Sequence, residues 1–235
     1  MALTVGSTAQ PVRAAATEDE QHPILAWLQA KQRVIGLVAG FVVLVGLVSW
    51  YVVESGRRKQ AQAADALDRA RAEMDGGNYP QASASLQKVA TTYAGTDAAF
   101  EATLALNQVR MLSGQAKLAV DELRKFAATN PPAPYNSAAH THLAIALEDT
   151  GQPAAAIAEY QKAAELATED YRKVDALLNV ARVERSMGND KVAVEVLQGV
   201  IKNHPAESPG VTEAKVRLAE ITRGPTLARS QCLPH

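Results

Sequence analysis

From Gly77 onward the chain repeats one pattern of apolar and polar positions four times. The copies are "GNYPQASASL" at Gly77, "GQAKLAVDEL" at Gly114, "GQPAAAIAEY" at Gly151 and "GNDKVAVEVL" at Gly188, with the glycines 37 residues apart throughout. Five residues after each glycine stands an alanine (Ala82, Ala119, Ala156, Ala193), and nine after it a large apolar residue (Leu86, Leu123, Tyr160, Leu197). Twelve after it come Val89, Phe126, Ala163 and Val200. Steps of four and three mark one face of an α-helix, so each copy predicts a helix whose apolar stripe opens on a small residue. A second stripe precedes the glycine, with Leu106, Leu143 and Val180 eight residues upstream and Ala70, Asn107, Ala144 and Ala181 seven upstream. The unit is helix, turn, helix, the glycine supplying positive φ where the first helix ends. One amphipathic hairpin cannot bury both stripes, so the units are expected to stack and share a core.

A different pattern occupies residues 34–53, "VIGLVAGFVVLVGLVSWYVV", where no charged residue interrupts the apolar run. That length spans the hydrocarbon core of a bilayer as a helix. Lys31 and Arg33 bound it on one side and Glu54, Arg57, Arg58 and Lys59 on the other. Trp27, Trp50 and Tyr51 stand where interfacial aromatics belong. A cleavable signal peptide fits less well, because the run is too long and lacks a small-x-small site after it. Within the spacing of Gly36 and Gly40 a second transmembrane helix could approach closely.

These patterns divide the chain. Residues 1–22 form a polar tail without periodicity, 23–33 a short interfacial helix opened by Pro23, and 34–53 the span. Residues 54–206 hold the four repeats, 207–223 a polar-faced capping helix ("VTEAKVRLAEITR"), and 224–235 a flexible tail. No breaker stands between Arg57 and Met74, so the helix of the span, or one close behind it, runs into the first repeat.

The segment from Ser137 to Asp170 resembles a tetratricopeptide repeat, with Leu143, Ala144, Gly151, Ala156, Tyr160 and Ala163 at the positions of that family's pattern. The family's tryptophan early in the first helix is missing from all four copies, and the period exceeds the usual one. The fold expected is therefore all-α: a single N-terminal transmembrane helix, a tetratricopeptide-like α-solenoid of four hairpins, and a capping helix. The arrangement of polar N-terminus, one span and alanine-rich repeats also resembles YfgM-type bacterial inner-membrane proteins, which are ancillary to the Sec translocon. That resemblance implies a repeat domain in the periplasm. The flanking charges favour the opposite side: two basic residues precede the span, whereas Arg57, Arg58, Lys59, Arg69 and Arg71 follow it.

Composition narrows the chemistry. A hydrophobic share of 47% with only 5% aromatic residues suits an alanine-rich helical protein, and a net charge of -1 gives no general attraction to nucleic acid. Cys232 is the chain's one cysteine, so no internal disulfide forms. His140 and His142 lie two apart on a helix and face different ways, unlike a metal pair. Glu148 and Asp149, at a helix end, read as solvated face. No catalytic residue, metal site or cofactor is expected.

In the register that the family resemblance implies, the first helices present a groove formed by Leu67, Arg71 and Met74, then Leu104, Gln108 and Met111. Thr141 and Ile145 follow in the third repeat, and Leu178, Arg182 and Arg185 in the fourth. Most of these are aliphatic or Met, which suits an apolar segment of another protein better than an acidic terminus. The expected function is a membrane-anchored protein-protein interaction scaffold, holding client or chaperone segments near the translocon. The alternative is a permanent structural subunit of a membrane complex, packed through Gly36 and Gly40.

Overall fold

A computed structural model describes residues 23–223, with side chains described only in part before Gly40. The two expected tails, Cys232 and the side chain of Trp27 lie outside the described residues. Among those residues there are nine helices: α1 (Pro23–Asp75), α2 (Tyr79–Thr92), α3 (Asp97–Leu112), α4 (Ala116–Ala128), α5 (Tyr135–Asp149), α6 (Pro153–Leu166), α7 (Asp170–Ser186), α8 (Asp190–Asn203) and α9 (Pro209–Arg223). Compactness divides the chain into two units, residues 1–55 and 56–235.

In the first unit, α1 carries the apolar run. It is the one helix among the described residues long and apolar enough to cross a membrane, and its apolar window is uncovered by other parts of the protein. Phe41, Leu44, Leu47 and Val52 are all exposed, as are Trp50 and Tyr51. The helix has no break at residue 33, so the expected interfacial helix is its first three turns and not a separate element.

In the second unit, the four hairpins are the end of α1 with α2, then α3 with α4, α5 with α6, and α7 with α8. Every expected stripe position after the glycine is buried except Phe126, which is half-exposed and stacks at 6.2 Å from Phe100. The alanines Ala82, Ala119, Ala156 and Ala193 have no exposed surface, which lets paired helices close on one another. Leu86, Leu123, Tyr160 and Leu197 fill the space beneath them.

The turns are built alike. At the third, the Gly151 amide donates to the Glu148 carbonyl and the Gln152 amide to the Leu147 carbonyl, a Schellman ending with Gly151 at φ 74°. Gly77, Gly114 and Gly188 repeat both the positive φ and the two hydrogen bonds.

From α2 onward each helix contacts its sequence neighbours, and the further pairs are α3 with α5 and α7 with α9. The last helix closes the stack: Val211 and Ala214 are buried against Val174, Leu178 and Leu197. Gly210 permits that approach, since a Cβ there would collide with Cγ1 of Val174.

Candidate functional site

The first helices of successive hairpins line a groove, which holds a cavity of about 430 Å³. Arg71 and Met74 of α1, Glu101, Leu104 and Gln108 of α3, Tyr135 and His142 of α5, and Arg172 of α7 surround it. A neighbouring cavity of about 260 Å³ shares His142 and Arg172 and adds Thr141, Tyr171, Asp175 and Asn179. A third, of about 220 Å³, lies between Arg182, Arg185, Arg217 and Ile221.

Four of the expected groove residues, Arg71, Met74, Leu104 and Gln108, are thus brought to one cavity. Thr141 lies in the next, Arg182 and Arg185 in the last, and Ile145 is exposed on α5. Leu67 and Leu178 belong instead to the core, at 4% and 3% exposure, and Met111 packs against the central cluster. The groove face follows Glu101, Ala105 and Gln108 on α3, and the same steps of four and three on α5 bring Ala138 and His142 to the cavity. Ten residues before the turn glycine, Leu104 still lines the cavity, whereas Leu67 and Leu178 are buried in the core.

The groove is also more polar than its aliphatic register suggests. Glu101, His142, Tyr135 and Arg172 were not expected there; Glu101 is three residues before Leu104 and His142 adjoins Thr141, while Tyr135 and Arg172 stand nearer the starts of α5 and α7 than any expected position. Each arginine meets a carboxylate: Arg71 with Glu101, Arg172 with Glu169 at 3.1 Å, and Arg185 with Glu220 at 3.3 Å. Arg182 grips Glu148 through two hydrogen bonds, Nη1 to Oε2 at 2.8 Å and Nη2 to Oε1 at 2.6 Å. Glu148 is therefore a bridge between hairpins and not solvated face. The buried Tyr160 hydroxyl donates to the same carboxylate at 2.8 Å.

The electrostatics follow from these contacts. Burial alone would raise the Glu148 carboxyl, but the Arg182 and Tyr160 hydrogen bonds outweigh it and hold it below the usual carboxylate range. Burial, the Asp97 carboxylate and Glu101 push the Tyr135 hydroxyl up to about 12. Burial pulls His142 down, favouring a neutral ring; its Nδ1 is enclosed and has no hydrogen-bond partner in the protein. His140 is an interhelix residue, with Nδ1 2.6 Å from Glu159. Among the described residues no group of His, Cys, Asp and Glu could hold a metal ion.

Sequence comparison with protein families matches the model of the tetratricopeptide repeat-like domain to residues 26–169, and that of the tetratricopeptide repeat to residues 175–206. The chain belongs to the tetratricopeptide repeat family. No curated protein sequence matches it. Among solved structures it is similar to a Podosopora anserina putative kinesin light chain with nearly identical TPR-like repeats, at 19% identity and TM-score 0.58, covering 73% of this chain and 90% of that one. It is also similar to a tetratricopeptide repeat protein of Parabacteroides merdae, at 12% identity and TM-score 0.52, over 68% of this chain and 60% of the other. At these identities the likeness is one of fold. Tetratricopeptide folds serve as scaffolds for protein-protein interaction, and no catalytic family matches.

Proposed function

We propose that the protein is a membrane-anchored scaffold whose groove holds a segment of another protein. The observation that carries this is the 430 Å³ cavity on the hairpins' first-helix face, the face a solenoid offers to partners. The exposed apolar surface of α1 supports a single bilayer anchor, with residues 34–53 as the span and Trp50, Tyr51, Arg57, Arg58 and Lys59 at its interface. Anchoring confines the groove to the membrane vicinity and raises its effective concentration toward membrane-bound partners. A bacterial inner membrane with the repeats in the periplasm, serving client or chaperone segments at the translocon, is the setting we favour.

The second reading, a permanent subunit of a membrane complex, draws on Gly36 and Gly40. A Cβ at either would meet nothing within 4 Å, so the backbone there is open to a neighbouring helix.

A photo-crosslinking side chain placed at Gln108, in the full chain purified in mild detergent, tests both. A varied set of captured proteins supports the groove binder. A fixed set at constant stoichiometry, lost in a Gly36→Leu and Gly40→Leu double variant, supports the subunit. No capture from Gln108 in either case removes the groove from consideration.

A further inference from the structure

Between α5 and α7 the groove holds a carboxylate that the rest of the protein leaves unanswered. Asp175 lines the cavity of about 260 Å³, and among the described residues its carboxylate takes part in no ion pair or hydrogen bond. The charged groups that face it are Arg172 of α7 and Glu213 and Arg217 of α9. Arg217 is held by Glu213 at 2.5 Å and by the Leu178 carbonyl at 2.9 Å. Arg172 lies 3.1 Å from Glu169 and donates from Nε to the Tyr171 hydroxyl. Each guanidinium thus has a carboxylate of its own, and Asp175 is left over. Partial burial and the Glu213 carboxylate raise its carboxyl above the ordinary aspartate value, as expected of an acid short of a counterion.

The larger cavity does not supply the missing cation. Its charged lining is Arg71, Glu101 and Arg172, with Arg71 paired to Glu101. Asp97, one turn before Glu101 on α3, stands beside the Tyr135 hydroxyl and adds a further carboxylate. The arginine pairs are more than a third exposed, so they are weak and can trade partners. Trading partners leaves the sum unchanged: around the two cavities the carboxylates outnumber the guanidiniums. His142 lines both cavities and adds no positive charge, because burial favours its neutral ring. An incoming acid would have to displace a carboxylate already in place, whereas an incoming base displaces nothing.

Resting on the groove reading above, we infer that the bound protein segment is basic, and that one of its lysine or arginine side chains enters the cavity between α5 and α7 to pair with the Asp175 carboxylate. The surplus at Asp97 favours a second basic residue further along the segment, toward α3.

The test uses the full chain in micelles of a nonionic detergent and three sets of short fluorescent peptides, basic, uncharged and acidic, read by anisotropy. Basic peptides are expected to bind best and to weaken as salt rises. Asp175→Asn should weaken them about three- to fivefold, the worth of one partly solvated ion pair, and leave the uncharged set unmoved. Asp175→Glu, which keeps the charge, should hold most of the affinity. Asp121→Asn removes the same charge from the exposed surface of α4 and should change nothing. Asp175 is exposed and outside the core, so these variants should fold, which circular dichroism checks. Equal effects of Asp175→Asn and Asp121→Asn overturn the pairing at Asp175, and preference for acidic or uncharged peptides overturns the basic segment; both leave the groove reading standing. Binding of no set, together with failed crosslinking at Gln108, overturns the groove reading itself.

Discussion

Arg182 of α7 reaches back across the hairpin boundary and closes on both oxygens of Glu148 of α5, at 2.8 and 2.6 Å. The two residues are 34 apart, and the Tyr160 hydroxyl completes the cluster from α6. Arg185 and Glu220, 35 apart, make the corresponding link one hairpin later, between α7 and α9. At the first boundary the positions of the same register are Met74 and Gln108, which line one cavity and carry no charge.

Breaking this pair should therefore loosen the third and fourth hairpins in particular. Arg182→Leu is expected to cost about 1–2 kcal/mol, since the pair is bidentate but partly solvated, with the arginine 45% and the glutamate 22% exposed. Urea unfolding of both single variants and of Arg182→Leu with Glu148→Leu, read as a double-mutant cycle, measures the coupling. A coupling near zero would mean that the geometry carries no stability.

Acid should weaken the fold in two separate windows. His142 has a folded pKa below its ordinary 6.5, so the unfolded chain takes the proton first; stability is full above about 6.5 and falls as pH drops below it. Glu148 is held below its ordinary 4.5, so its contribution persists until pH falls beneath that value. Thermal melts should show a decline starting near pH 6.5 that His142→Phe flattens and Glu148→Gln leaves in place.

Glycines at two kinds of position should respond oppositely to alanine. Gly151 sits at φ 74°, where a side chain is strained, and Gly151→Ala is expected to cost about 1 kcal/mol. Gly199 lies within α8 with open space around its Cβ, and Gly199→Ala should add about 0.5–1 kcal/mol through helix propensity. Chemical denaturation of the two variants beside the native chain settles the sign of each.

Gly210→Ala tests the seating of the last helix. The added methyl would collide with Val174, so α9 must shift, at a cost of about 1–3 kcal/mol. Val174→Ala in the same chain should recover part of that loss by making room. If the double variant is no more stable than the sum of the singles predicts, the close approach of α9 to α7 is not what limits the site.

Much of the fold could be read from the sequence because a repeated hairpin states its core four times. The alanine five residues after each glycine and the large residue nine after it recur, and they are the residues that the structure buries. The groove was harder. Leu67, Leu104 and Leu178 share one register, yet of the three only Leu104 lines the cavity, and the next position along brings Ala105 and His142 to it. Glu148 and Arg182 were each visible as charged helix residues. Their pairing depends on the offset between hairpins, which no local pattern encodes.

The four turns share one geometry, and beyond α1 each helix meets only its near neighbours in sequence. Removing one complete 37-residue unit would therefore join a first helix to a second helix of the same register, with the same small-residue contacts on either side. The groove is extensible hardware: its length is set by how many hairpins the chain carries, and whole units can be gained or lost while the closing helix α9 keeps the same seat on the last one.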